Sequence, residues 1–543
     1  MKSDFNLVDE PWIPCLITKD GRSVELGILH CLTQAPNIRE IADPSPLVEV
    51  AVHRLLLAIL HRVFGPKSPD AWQRVWKART LDADRLRAYL DKVRGHFNLF
   101  DDDHPFYQSK SLDFSYEGSV SKLVHELASG NNATLFDHTT DDVELSLSPA
   151  EAARLLVAHQ AFAVGGLVSL ERGQDPKLYK SADNAPLVKG AVALVKGKNL
   201  FETLMLNLHH YGPGAEDFFS GSSCADASED LPAWEREEET LAQDRWPRGY
   251  LDYLTWQSRR IRLHPELDGE RLVVRKVVIM KGNQFPDGFN TRQMETMVAY
   301  RKDTRARDQD PWPAVGFTQN RAIWRDSLAL LESVPEGHDR PKTLDWLNDL
   351  VAEGMLDRTL VFPLDLYGLC SDRAKVLFWR HERLPLPLAY LEDKELLSSL
   401  RRALNFAEDV NRALRSATNT LATLLLTPDS DSGAGRQPPK EEVRRVASIL
   451  APERAYWAQI ETHFRQFVVE LAADRTVLAD GVTQFGTKAV PQWVDQVGRA
   501  AVTAFEKVTG DLDRSARTLK AVARADAELR QNIKRSRAKS GTV

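Results

Sequence analysis

The side chains able to do covalent or metal chemistry in this 543-residue chain are few and poorly spaced for it. Its four cysteines, Cys15, Cys31, Cys224 and Cys370, include no CxxC pair. Spacing therefore offers no zinc ribbon, and they read as buried or incidental thiols. His209 and His210 are adjacent, would diverge on any regular element, and read as a solvated pair. His125-Glu126 is followed by Leu127, Ala128 and Ser129 rather than the second histidine a zinc protease needs. Lys196-Gly197-Lys198-Asn199 lacks the upstream glycine and the hydroxyl of a phosphate-cradling loop, and no GxSxG elbow occurs. The run Asp101-Asp102-Asp103 reads as a solvated loop. His338-Asp339 is the kind of dipeptide phosphohydrolases use, but it has no evident partner histidines and supports only a third-ranked reading as a metal-dependent phosphohydrolase. The expectation is a non-enzyme with no metal site and no cofactor.

Three other groups have the character of recognition. Gly165-Gly166 at a predicted helix end is either a C-cap or a place where a backbone free of side chains admits close approach of another backbone. Arg373-Ala374-Lys375, before the β-like run Val376 to Trp379, is either an ordinary basic hairpin tip or a wedge. Arg514, Arg517, Lys520 and Arg524 recur at helical spacing in a basic C-terminal stretch, as a solvated face or one that tracks phosphates.

The elements that must position these groups fall into two textures. Up to Leu388 the chain is net −10 and mixes short β-rich runs with helices, whereas beyond it the chain is net +4 and almost wholly helical. Pro385 and Pro387 in LPLPLA hold the junction extended. The expected class is α+β: residues 1–388 as a mixed domain and 389–543 as a four-helix bundle. Its four stretches are about Glu392–Leu426, Lys440–Ala472, Gln492–Val508 and Leu512–Lys534, with Leu400, Leu404, Ala407, Val410 and Leu414 marking a one-sided stripe. In the first part Pro46 to Phe64 reads as a buried helix, and Ser148-Pro149-Ala150-Glu151 as a capping box opening a helix. Strands are expected at Leu187–Val195, Arg271–Met280 and Thr359–Leu364, and Gly212 to Gly249 reads as an exposed excursion. The overall charge of −6 excludes a uniformly basic nucleic-acid coat but not a local basic face. No apolar run approaches the ~20 residues of a membrane span, and the expected location is the cytoplasm.

The opening Phe5-Asn6-Leu7-Val8-Asp9-Glu10-Pro11-Trp12-Ile13-Pro14 resembles the N-terminus of the large subunit of the type I-E CRISPR surveillance complex, Cascade (the CasA family). His104-Pro105-Phe106-Tyr107-Gln108, the stretch Ser129 to Phe136, Ala322 to Asp326, and Tyr367-Gly368-Leu369 leading to Trp379-Arg380 extend the resemblance over essentially the whole chain. It implies a non-catalytic subunit that reads a short motif beside the target (the PAM) in double-stranded DNA and starts strand separation. The implied partners are other Cascade subunits, the guide CRISPR RNA, the target duplex and a recruited helicase-nuclease, with no membrane. Carried onto this sequence, the family's glycine loop falls on Gly165 and Gly166. Its lysine finger falls on Lys302, with Arg305 second. Its wedge, usually glutamine, falls on Arg373, with Ala374 and Lys375 beside it, and its complex-anchoring loop on Asn131, Asn132 and Phe136. The competing reading is a helical interaction scaffold that does not read DNA.

Overall fold

The computed structural model describes residues 4–125, 145–211, 230–237, 241–305, 311–319, 321–333, 337–372, 374–427, 437–477 and 483–539. It separates into two compact units. One comprises Met1–Asp357 with Phe362–Leu384, and the other Arg358–Val361 with Pro385–Val543.

In the first unit the helix Pro46–Val63 is buried along nearly its whole length, Leu47 to His61, as its unbroken apolar run requires. The signature opening is also core: Leu7, Val8 and Trp12 are fully buried, and the Trp12 indole donates to the Leu7 carbonyl at 2.9 Å. The capping box forms as expected, with Ser148 Oγ accepting from Glu151 N (3.3 Å) and Glu151 Oε2 from Ser148 N (2.8 Å), and it starts the helix Pro149–Phe162. Strands stand at Val192–Val195, Arg271–Lys281 and Val361–Asp372. Arg259–Asp268, the antiparallel partner of Arg271–Lys281, is a strand that none of the expected elements covers. Its Pro265 sits where the pairing register shifts after His264, a bulge that relieves the missing donor. Val361–Asp372 lies between Val192–Val195 and the long strand Lys375–Pro387.

Two expectations are corrected. His209 is no solvated residue: it is fully buried with its ring 4.5 Å from that of His61 and 4.8 Å from that of Tyr250. Nor is 212–249 an exposed excursion throughout. Asp230 is buried and accepts from the backbone N–H groups of Leu251 (3.1 Å) and Asp252 (3.0 Å), and Trp234 is buried beside it in the chain; residues 212–229 and 238–240 lie outside the described set.

Burial holds several imidazoles neutral. His53 and His209 are each pushed down to about 3, and His61 and His159 are held well below the ordinary histidine value. The folded state takes up these protons only below the ordinary histidine range, whereas the unfolded chain takes them up near pH 6.5. Stability is therefore complete above that pH and lost as pH falls below it, by up to about 1.4 kcal/mol per pH unit for each such group. The thermal midpoint followed by circular dichroism should drop steeply between pH 6.5 and 5; a flat profile there would contradict burial of these rings.

The second unit is built on the 33-residue helix Lys394–Leu426, N-capped by Asp393, whose carboxylate accepts from Glu395 N and Leu396 N (3.1 Å each). Leu400, Leu404, Ala407, Val410 and Leu414 are all buried, as their spacing predicts. Aromatic donors bind the bundle together. The Trp493 indole reaches Ala403 O (3.0 Å), and the Tyr456 hydroxyl reaches Ala407 O (2.8 Å). The second expected stretch is two helices, Lys440–Leu450 and Pro452–Ala473. Pro452 cannot continue a helix, and Ala451 turns the chain in the left-handed region at φ 35°. Ala489–Gly510 and Ala516–Lys539 complete the unit.

Candidate nucleic-acid interface

The helix Pro149–Phe162 ends at Ala163, whose N–H bonds to His159 O, and the chain runs on through the half-buried Val164 and Gly165. Gly166–Leu167 then pairs antiparallel with Ser181–Ala182, Gly166 opposite Ala182. Neither glycine has a left-handed φ, so the C-cap explanation does not hold. Close approach explains both. A Cβ on Gly165 would lie 3.0 Å from Asn184 N and 3.1 Å from Ala182 O, and one on Gly166 would lie 3.1 Å from the Cβ of Ala374. The glycine turn and the hairpin residue, far apart in sequence, thus meet in space. Gly165 N–H is already engaged, donating to Asn184 Oδ1 at 2.7 Å. Leu167, next to the contact, is 80% exposed.

Ala374 and Lys375 are both exposed at the end of the ribbon formed by Val361–Asp372 and Lys375–Pro387. Lys375 has no carboxylate within 4.0 Å among the described residues, and Leu377 and Trp379 follow it outward on the same face. The base of the ribbon is anchored. Asp365, fully buried, receives both arms of Arg383 (2.6 and 2.7 Å) and pairs with His381 (3.2 Å). Although burial opposes its charge, those partners hold its carboxyl well below the usual carboxylate range. The His381 ring stacks on Tyr367 at 4.5 Å. Arg373, and the loop carrying Asn131, Asn132 and Phe136, lie outside the described residues.

Lys302 stands on a different element. It follows the short strand Tyr300–Arg301, its N–H donates to Gly337 O (3.0 Å), and its ammonium is 6.0 Å from the Trp312 ring centre. Arg305 is exposed in the turn beyond it. Neither cation has a carboxylate within 4.0 Å among the described residues. In the bundle, Arg514, Lys520 and Arg524 are exposed, but Arg514 precedes the helix that begins at Ala516. Arg517 departs from the expected phosphate-tracking set. Its guanidinium donates to Leu425 O at 2.7 Å and to Thr427 O, closing the C-terminus of the Lys394 helix, so spacing alone misread a cap as surface charge.

The enzyme-like motifs are occupied structurally. His338 pairs with Glu332 (3.2 Å) and Asp339 with Arg292, on a two-residue strand. Asp101 turns its own loop by accepting from Asp103 N (2.9 Å) and His104 N (2.8 Å). Lys196 is buried on Glu49 (3.2 Å), and Asn199 caps the next helix. No group of three His, Cys, Asp or Glu among the described residues could hold a metal ion.

The model of the family described as CRISPR-associated protein Cse1 matches residues 6–504. This chain belongs to the Cse1 (CasA) family. The resemblance carried by the opening motif is thereby established for nearly the full length. The CRISPR-associated protein CasA/Cse1 of Thermus thermophilus is 34% identical over 537 residues, 96% of either chain. The crystal structure of Cse1 from Acidimicrobium ferrooxidans superposes with a TM-score of 0.79 at 25% identity, covering 99% of both chains. A chain of a CRISPR RNA-guided surveillance complex shares the fold at 21% identity, with a TM-score of 0.73 over 97% of this chain and 99% of that one. Within the Cse1 frame, several signature residues act in packing. Trp324 of the Ala322–Asp326 motif is buried, and Asp326 receives Arg321 at 2.9 Å and also Arg301.

Sequence reasoning missed Asn184 and Arg259, which hold the glycine turn. No local pattern in the sequence marks either residue.

Proposed function

We propose that this Cse1-family chain is a non-catalytic subunit of an RNA-guided CRISPR complex that reads the PAM in duplex DNA and starts its opening, with the helicase-nuclease arriving afterwards. The observation that carries the reading is the meeting of Gly166 with Ala374, which sets a side-chain-free backbone beside an exposed hairpin tip. Such a surface suits the minor groove, whose donor and acceptor pattern is degenerate and is read over a few base pairs, while guide pairing supplies the remaining specificity. Arg373, at the tip by sequence, is assigned the wedge role on the resemblance alone. Inserting a side chain between base steps costs a few kcal/mol of unstacking and begins the opening that guide pairing completes. Lys302, Arg305 and Lys375 are assigned phosphate contacts near the PAM, and Arg514, Lys520 and Arg524 contacts elsewhere along the nucleic acid. Asn131, Asn132 and Phe136 are assigned to anchoring within the complex.

The test is a gel shift of the assembled complex on duplexes with and without a PAM, over a range of salt. Tight binding should require the PAM. The isolated chain should bind weakly and lose affinity with salt, because it neutralises few phosphates. Neutralising Arg514, Lys520 and Arg524 should weaken all duplexes alike and flatten the salt dependence by up to about 0.9 in log–log slope per lost phosphate contact. Equal binding of both duplexes by the intact complex would leave the interaction-scaffold reading in its place.

A further inference from the structure

Arg259 opens the strand Arg259–Asp268 and is 2% exposed, yet no carboxylate lies within 4.0 Å of it among the described residues. Its guanidinium is spent on carbonyls. One terminal nitrogen donates to Ser258 O at 2.8 Å. The other faces Asp183 O at 2.8 Å, Val164 O at 3.1 Å and Ala163 O at 3.4 Å. The last three carbonyls come from the two backbone segments that meet at the glycine turn. Burial pulls this group down to about 10, against the opposing charge of Asp183, so it remains a cation at neutral pH.

A buried cation without a carboxylate is costly, and simple packing would be served better by an apolar side chain. What the cation gains is orientation. In a trans peptide the C=O and N–H point in opposite directions, so each carbonyl drawn onto Arg259 turns the N–H of its own peptide away. The peptides concerned carry the N–H groups of Val164, Gly165 and Asn184. Gly165 N–H, thus directed, meets the Asn184 side-chain oxygen at 2.7 Å. Neighbouring side chains fix the arrangement. The Gln160 amide clasps Arg259 through its N–H (3.0 Å) and its carbonyl (2.9 Å), and Gln284 Oε1 accepts from Asp183 N.

We propose that Arg259 is a positioning residue for duplex recognition: it draws the carbonyls of the glycine turn inward, turns the N–H groups of the same peptides away from itself, and sets a buried positive charge beneath the turn. Between the exposed side chains of Leu167 and Asp183 the turn offers glycine backbone over a buried cation, and that backbone suits acceptors on a polyanion approached at backbone distance. This rests on reading the turn as the duplex-contacting surface.

The test compares Arg259→Lys and Arg259→Met in the assembled complex, reading the ratio of affinities for duplexes with and without a PAM. Thermal midpoint and incorporation into the complex are recorded alongside. Lysine keeps the charge on a single nitrogen and cannot hold Ser258 O and the three turn carbonyls at once, so the ratio should fall partway; methionine should lower it about tenfold or more, the scale of one charge-assisted hydrogen bond. Hydrogen exchange in peptides spanning 163–168 should quicken in both. A merely structural role predicts a lower midpoint with the ratio unchanged, and that result overturns the proposal. If Arg259→Met fails to assemble, Arg259→Lys and Asn184→Asp decide. The latter keeps an acceptor for Gly165 N–H but sets a negative charge at the edge, and it should also lower the ratio; an unchanged ratio in both sinks the positioning role. A wild-type complex that makes no PAM distinction sinks the reading of the turn itself, whereas wild-type discrimination that survives in the Arg259 variants sinks only the role given to Arg259.

Discussion

Gly166→Asp should abolish PAM-dependent binding by the assembled complex while the chain keeps its fold. The new Cβ would come 3.1 Å from the Ala374 Cβ, so the hairpin tip must yield by a few tenths of an ångström. That displacement is small, and Gly166→Ala alone should cost little. The carboxylate is the larger perturbation, because it would stand at a half-buried surface proposed to face DNA acceptors and phosphates. Like charges brought together at an interface cost several kcal/mol, so affinity for the PAM duplex should fall on the order of 100-fold or more. Circular dichroism and the thermal midpoint report the fold, and the gel shift reports binding. Retained PAM discrimination in a folded Gly166→Asp complex would remove the turn from the recognition surface and leave its glycines explained by internal packing alone.

The largest effect on stability is expected in the first unit, at the pair formed by Arg54 and Glu295. Their side chains are 5% and 1% exposed and meet through two bonds of 2.9 and 3.0 Å. Glu295 also accepts from the Tyr253 hydroxyl (3.0 Å) and from Met297 N (2.8 Å). Arg54→Met would leave that carboxylate buried without a cation, which typically costs 3–5 kcal/mol, roughly. Arg54→Met combined with Glu295→Gln should recover part of the loss, since the neutral amide can keep its oxygen on Met297 N and turn its NH2 to donate to the Tyr253 hydroxyl oxygen. The first unfolding transition in urea, compared across the three proteins, measures this. A single variant within about 0.5 kcal/mol of wild type, the range of an ordinary surface change, would show that the pair carries little stability.

What the sequence disclosed follows from where the physics is local. The capping box at Ser148, the stripe along the Lys394 helix and the buried run from Leu47 to His61 depend on neighbours within a turn or two, and each stands where the spacing placed it. The break at Ala451 was also local, since Pro452 announced it, but the apolar periodicity on either side masked the signal. Tertiary facts were hidden. Nothing near Arg517 in sequence reveals that it closes a helix ending some ninety residues earlier, and nothing near His209 reveals His61. The candidate site divides the same way: the glycines and the hairpin residues stood out by residue type and took their roles, as did Lys302, from the resemblance, while Arg259 and Asn184 became visible only once the two segments they join were seen together.

The path of the chain at Arg358–Val361 bears on modularity. These four residues belong to the second unit although they lead into the ribbon of the first, whose strand starts at Val361. Leu360 O accepts from Leu388 N at 3.0 Å, and Arg358 lies 3.6 Å from Asp393, the cap of the Lys394 helix. A fragment beginning at Pro385 would therefore lack a piece of its own structure, and a fragment ending at Leu384 would keep a segment with nothing to bind. Swapping the helical region between relatives by a single crossover would mismatch that segment, so the two halves of this gene should be inherited together rather than shuffled.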